Sequence, residues 1–92
     1  MSKTYLVECF WPDARQAQVD QAASRLREAA ARDDPVAFTG TIFIPGDEVV
    51  FYLFEGDSED AVRATLARDP WSKTHLVVDS VDPWTIRLDG RT

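Results

Sequence analysis

A chain of 92 residues has the usual size of one domain and is too short for two ordinary ones. Its 45% apolar and 28% charged residues describe a globular composition, neither disordered nor fibrous. Sixteen acids against ten Lys and Arg leave a net charge of −6, and no basic stripe with interleaved aromatics offers a footprint for nucleic acid. No apolar run approaches the ~18 residues of a membrane span, and the N-terminus carries no basic-plus-apolar leader. The single cysteine, Cys9, has no internal disulfide partner. These features predict a soluble, cytoplasmic domain spanning residues 1–92, without a nucleic-acid or membrane partner.

Residues 4–11 (TYLVECFW) are β-branched, aromatic and apolar, and Pro12 stops ladder pairing after them. Alternation puts Tyr5, Val7, Cys9 and Trp11 on one face of this strand and Leu6, Glu8 and Phe10 on the other. Only Glu8 breaks the apolar character, which predicts a central strand covered on both sides. From Asp13 the period changes. Val19, Ala22, Ala23, Leu26, Ala29 and Ala30 recur at three- and four-residue spacing, predicting an amphipathic helix over 14–32 with Asp13 as its N-cap. Asp33-Asp34-Pro35 ends it.

Residues 36–44 and 49–55 read as strands joined by the turn Pro45-Gly46-Asp47-Glu48 into a hairpin. Asp57 or Ser58 caps a second helix over 59–68, with Glu59 and Asp60 in its first turn and Ala61, Val62, Thr65 and Leu66 on its buried side. Asp69-Pro70 ends that helix. Residues 70–74 read as a loop, 75–81 as the fourth strand, and 84–88 as a short terminal strand. The order strand, helix, strand, strand, helix, strand predicts a ferredoxin-like α+β sandwich, βαββαβ plus a C-terminal edge strand.

Both helices of such a sandwich lie on one sheet face. The other face would still carry large apolar groups, whichever of Phe51 and Leu53 or Tyr52 and Phe54 point that way. Monomers seldom tolerate so large an apolar patch, which predicts a homodimer packed through the open sheet face.

No phosphate-binding glycine loop, CxxC, HExxH or GxSxG motif is present. Chemistry must therefore come from single residues lining a cavity. His75 is the one histidine, the side chain whose ordinary pKa lies near neutrality, and it follows the Pro70–Thr74 segment. As a general acid/base it would be oriented by Asp69 or Asp79; otherwise it is a surface histidine at a strand start. Glu8, a carboxylate in mid-strand, must be hydrogen-bonded, paired or reached by water. It is a candidate base or metal ligand, or else pairs with an arginine across a dimer interface. Cys9 reads as a small buried hydrophobe, and as a nucleophile or ligand only secondarily. Tyr5, Tyr52, Trp11, Trp71 and Trp84 suit an aromatic cavity that positions a flat ligand, and suit a dimer core equally.

The segments TYLVECFWPDA and GTIFIPGDEVVFYLFEG together resemble a family of small ferredoxin-like proteins described as nickel-binding, over about residues 3–64. The closing segment LARDPWSKTHLVVDSVDPWTI is similar to the end of YciI-like proteins, with an Asp-Pro-aromatic after the second helix and a Pro-aromatic after the last strand. Both belong to the dimeric α/β-barrel superfamily, which includes muconolactone isomerases and cofactor-free monooxygenases. The resemblance implies a sheet-to-sheet dimer with a ligand cavity in each subunit. The early His–Asp pair associated with YciI-like proteins has no counterpart, because no histidine precedes His75.

The leading expectation is a small-molecule-binding dimer acting on a flat, apolar metabolite without a cofactor, as an isomerase, cyclase, dehydratase or monooxygenase. His75, Asp69 and Glu8 would be its catalytic groups, and Tyr52, Trp71, Trp11 and Tyr5 would position the substrate. The alternatives are a nickel-binding protein using Glu8, Cys9 and His75, and a subunit-interaction module with no site.

Overall fold

The computed structural model describes residues 3–33 and 35–84. Strand β1 (Lys3–Phe10) leads through a turn into helix α1 (Gln16–Ala31); β2 (Ala37–Ile44) and β3 (Val49–Gly56) form a hairpin; α2 (Glu59–Arg68) and a short α3 (Pro70–His75) precede β4 (Val77–Pro83). All pairings are antiparallel, in the order β2-β3-β1-β4, so the doubly apolar β1 is an inner strand. The helices pack on one face of the sheet, α1 against β2 and α2 against β3 and β4. This is the ferredoxin-like α+β sandwich.

Register decides which side chains meet the helices. Tyr5, Val7 and Cys9 lie opposite Phe54, Tyr52 and Val50, and all six are buried. Val19, Ala22, Leu26 and Ala30 of α1 and Val62 and Leu66 of α2 close over them. The alanines bring α1 close to the sheet, and no polar atom on that stripe needs a partner. At ~25 cal/mol per Å² of apolar surface removed from water, this one-sided core is the main stabilising term.

The complementary set faces away from the helices. Leu6 lies opposite Leu53, Glu8 opposite Phe51, and Phe10 opposite Val49, with Ile42 and Ile44 beside them on β2. Exposure on this face reaches 45% at Phe10 and 59% at Val77. Phe51 and Leu53 thus belong to the open face, and Tyr52 and Phe54 to the core.

Several local expectations need correction. Asp13 does not cap α1; it takes a left-handed conformation (φ 60°), which short polar side chains tolerate, and the helix starts later. Arg15 is the extended cap residue, and the Gln18 side chain accepts its N–H at 2.9 Å. In the hairpin turn Glu48 takes a left-handed conformation, and its carbonyl accepts the Trp11 N–H at 2.8 Å. Residues 70–74 are not a loop. Asp69 caps and Pro70 opens α3, so His75 ends a helix and β4 starts two residues later than predicted. Between Glu8–Ser80 and Cys9–Val78 the β4 ladder slips, leaving Asp79 as the extra residue of a bulge. The predicted strand 84–88 lies outside the described residues after Trp84, whose N–H donates to the Thr4 carbonyl at 2.9 Å.

Candidate functional site

His75 stands exposed at the C-terminal end of α3. Its ring stacks on Trp71, four residues earlier, with centroids 5.0 Å apart and planes 9° from parallel. Nδ1 lies 3.0 Å from the Trp71 carbonyl and 2.9 Å from the Thr74 hydroxyl. A carbonyl only accepts, so this geometry favours the proton on Nδ1 and leaves Nε2 as an outward-facing acceptor. From α1, the Arg25 guanidinium lies 5.4 Å from the Trp71 ring centre.

Asp69 sits at the other end of α3 and is committed there. Its carboxylate accepts the Ser72 N–H at 3.0 Å and the Ser72 hydroxyl at 2.7 Å, while Arg32 approaches at 3.5 Å. Helix geometry therefore separates the pair that the sequence placed together: a residue at the cap and one at the last turn point to opposite ends. Asp79 lies exposed on the β4 bulge, and no hydrogen bond joins it to His75 among the described residues.

Glu8 occupies a different place altogether. It lies mid-strand on the open sheet face, half-buried, flanked by Leu6 and Phe10 along β1 and by Phe51 across on β3. On the β4 side Ser80 donates to its carboxylate across a long 3.4 Å. Cys9 points the other way, into the core, with no exposed surface. Burial, with the nearby charges of Asp79 and then Glu8, pushes its thiol up to about 12, so it is an inert thiol rather than a nucleophile. Glu8, Cys9 and His75 do not converge, and among the described residues no three His, Cys, Asp or Glu side chains form a metal-holding group.

The aromatic residues divide in the same way. Tyr52 is buried beneath α1 and its hydroxyl donates to the Val19 carbonyl at 3.2 Å. Burial, followed by Cys9 and Asp20, pushes the phenol well above its ordinary range. Tyr5 is a core residue, and Trp11 and Trp71 pack half-buried at the core's margin. The space between sheet and helices is filled there.

Cavities lie instead at the surface of the helix layer. One, of about 310 Å³, sits where α1 and α2 end, lined by Ala29, Arg32, Asp33, Thr65, Arg68 and Asp69 with Pro70. Arg32 pairs with Asp69 and Arg68 with Asp33, while Thr65 also donates to Asp33. Each helix thus ends in an Arg-Asp whose partner belongs to the other helix. The repeated sequence Ala-Arg-Asp at 31–33 and 67–69 was the visible signal of this clasp. A second groove, of about 230 Å³, runs between α2, α3 and β4.

No protein-family model matches the chain, and no curated protein matches it. The crystal structure of SCO4226 from Streptomyces coelicolor A3(2) superposes with a TM-score of 0.70 over 92% of this chain and 99% of that one, at 19% identity. At that identity the likeness bears on fold alone, and it agrees with the strand order and one-sided helix layer in placing the chain among ferredoxin-like α+β structures.

Proposed function

We propose that two copies of this chain pack through their open sheet faces, and that the enclosed space binds a flat, largely apolar small molecule. In this reading Glu8 is the group that takes or returns a proton, without a cofactor. The observation that carries it is a half-buried carboxylate at the middle of a largely apolar sheet face, on an inner strand, where the other acids of that face, Glu55 and Asp82, stand exposed toward one end of it. A surface so apolar favours burial, and a carboxylate retained among Leu6, Phe10 and Phe51 costs stability unless something uses it. An apolar site with few polar groups is also the general make-up of a ligand pocket. The resemblance to dimeric α/β-barrel proteins, YciI-like and nickel-binding ones included, supports the same assembly. His75 is the weaker acid/base candidate, since its ring stacks on Trp71 in the helix layer and Asp69 serves as a cap.

The test combines light scattering with a thermal-shift screen of flat cyclic enones and phenols, on wild type, Glu8→Gln and His75→Ala. The reading expects a dimer, a compound that raises the melting temperature, and turnover that falls by about 10²–10⁴-fold in Glu8→Gln. Turnover that survives in Glu8→Gln but is lost in His75→Ala would move the role to His75. A second reading, a subunit-interaction module with no site, is favoured by the filled space around Tyr52, Phe54 and Leu26. A dimer that binds nothing in the screen would support it. Nickel binding would require donors from both subunits, and a nickel titration of the same dimer checks that alternative.

A further inference from the structure

The groove between α2, α3 and β4 has no part in that reading. Its floor is apolar: Leu66 and Val81 are nearly fully buried, and Leu76 and Val78 pack half-buried beside them. Its rim carries Arg63 from α2 and Lys73 from α3, and among the described residues no acidic side chain lines it. Among the described residues Ser72 is its one neutral hydroxyl, and that hydroxyl is already donated to Asp69. Arg63 uses Nε on Glu59 at 2.7 Å, while its two terminal nitrogens, like the Lys73 ammonium, make no hydrogen bond among the described residues.

In a chain of net charge −6, a groove whose available polar groups are all cationic selects for the opposite sign. We propose that it binds a small amphiphilic monocarboxylate, with the hydrocarbon body along Leu66, Leu76, Val78 and Val81 and the carboxylate between Arg63 and Lys73. Its volume of about 230 Å³ lies below the ~300–1,000 Å³ of drug-sized pockets, so the ligand is a short one. An apolar floor alone would accept an uncharged chain as well. The two cations make the head group decisive, and because they are solvent-exposed, added salt weakens the binding.

The test is calorimetric titration of the intact protein with sodium octanoate and with 1-octanol, on wild type, Lys73→Glu, Ala67→Trp and Glu8→Gln. Ala67 is an exposed residue of the groove wall, so a tryptophan there fills the groove without entering the core. Octanoate should bind at least about tenfold more tightly than octanol, and Lys73→Glu should weaken it by about tenfold or more. Ala67→Trp should abolish binding, with the circular dichroism spectrum unchanged. Glu8→Gln should bind octanoate like the wild type, which separates this groove from the sheet-face site. No binding at millimolar octanoate, equal binding of acid and alcohol, or undiminished binding in either groove variant overturns the proposal. Loss confined to Glu8→Gln also overturns it, because the ligand would then sit on the sheet face.

Discussion

Cys9 and Tyr52 are neighbours in the core, on β1 and β3, and their titration couples to stability. The Cys9 thiol rises from an ordinary 9.0 to about 12, through burial first and then Asp79 and Glu8. Between those values the unfolded chain gives up its thiol proton while the folded chain keeps it. Stability is therefore full below pH ~9 and falls as pH rises toward 12, by ~1.4 kcal/mol per pH unit from this group. Tyr52, also raised, adds a second loss of the same sign beginning near its ordinary 10.0. Urea midpoints from pH 7 to 10.5 should decline above pH 9, and Cys9→Ala should delay the decline; superimposable profiles would contradict the burial argument. Asp69 makes a second case. As a cap it needs an acceptor more than a charge, so Asp69→Ala should cost about 1–2 kcal/mol and Asp69→Asn clearly less. Equal losses in denaturant unfolding would show instead that the charge matters, through Arg32.

Among elements, the two helix ends hold each other. The Arg32–Asp69 and Arg68–Asp33 pairs cross between α1 and the α2–α3 corner, but both arginines are about two-thirds exposed. Water and salt screen such pairs, so a double-mutant cycle on Arg68→Ala and Asp33→Ala should give a coupling no larger than ~1 kcal/mol, shrinking in high salt. A salt-independent coupling well above that would mean the cavity beneath is drier than its lining implies. The corner has a consequence for the site. Because Asp69 starts a new helix, Trp71 and His75 are spaced four residues apart on one helical face and stack. A strand would have sent successive side chains to opposite faces and left His75 beside β1.

At the scale of the whole molecule, the sheet has one face under helices and one without. An open face bearing Leu6, Phe10, Ile42, Ile44, Phe51 and Leu53 argues for a dimer, so light scattering at micromolar concentration should give about twice the chain mass, with a melting temperature that rises with protein concentration. Phe51→Glu should dissociate or aggregate it, because Phe51 lies on that face. Tyr52→Glu should unfold the subunit itself, because Tyr52 is in the core. A stable, soluble wild-type monomer at these concentrations would remove the basis for a sheet-to-sheet assembly.

The hydrophobic periods of 2 and 3.6, the proline stops and the hairpin turn sufficed to read the strands and long helices, their order and the ferredoxin-like sandwich directly from the sequence. These are local signals, carried by residues within one element. They also identified Glu8 as an anomaly and β1 as an inner strand. Which face of β3 meets the helices was not legible, since Phe51, Tyr52, Leu53 and Phe54 are all large and apolar; register against β1 and packing under α1 decided it. The sequence offers Asp69 as a partner that would orient His75, whereas it caps α3 through Ser72, although Asp-Pro followed by Ser three residues after the Asp was a readable cap. The Arg-Asp clasp, the inert state of Cys9 and the cationic groove all depend on elements distant in the chain meeting in space. Such contacts are set by how the layers close over one another, a tertiary property that local patterning does not encode.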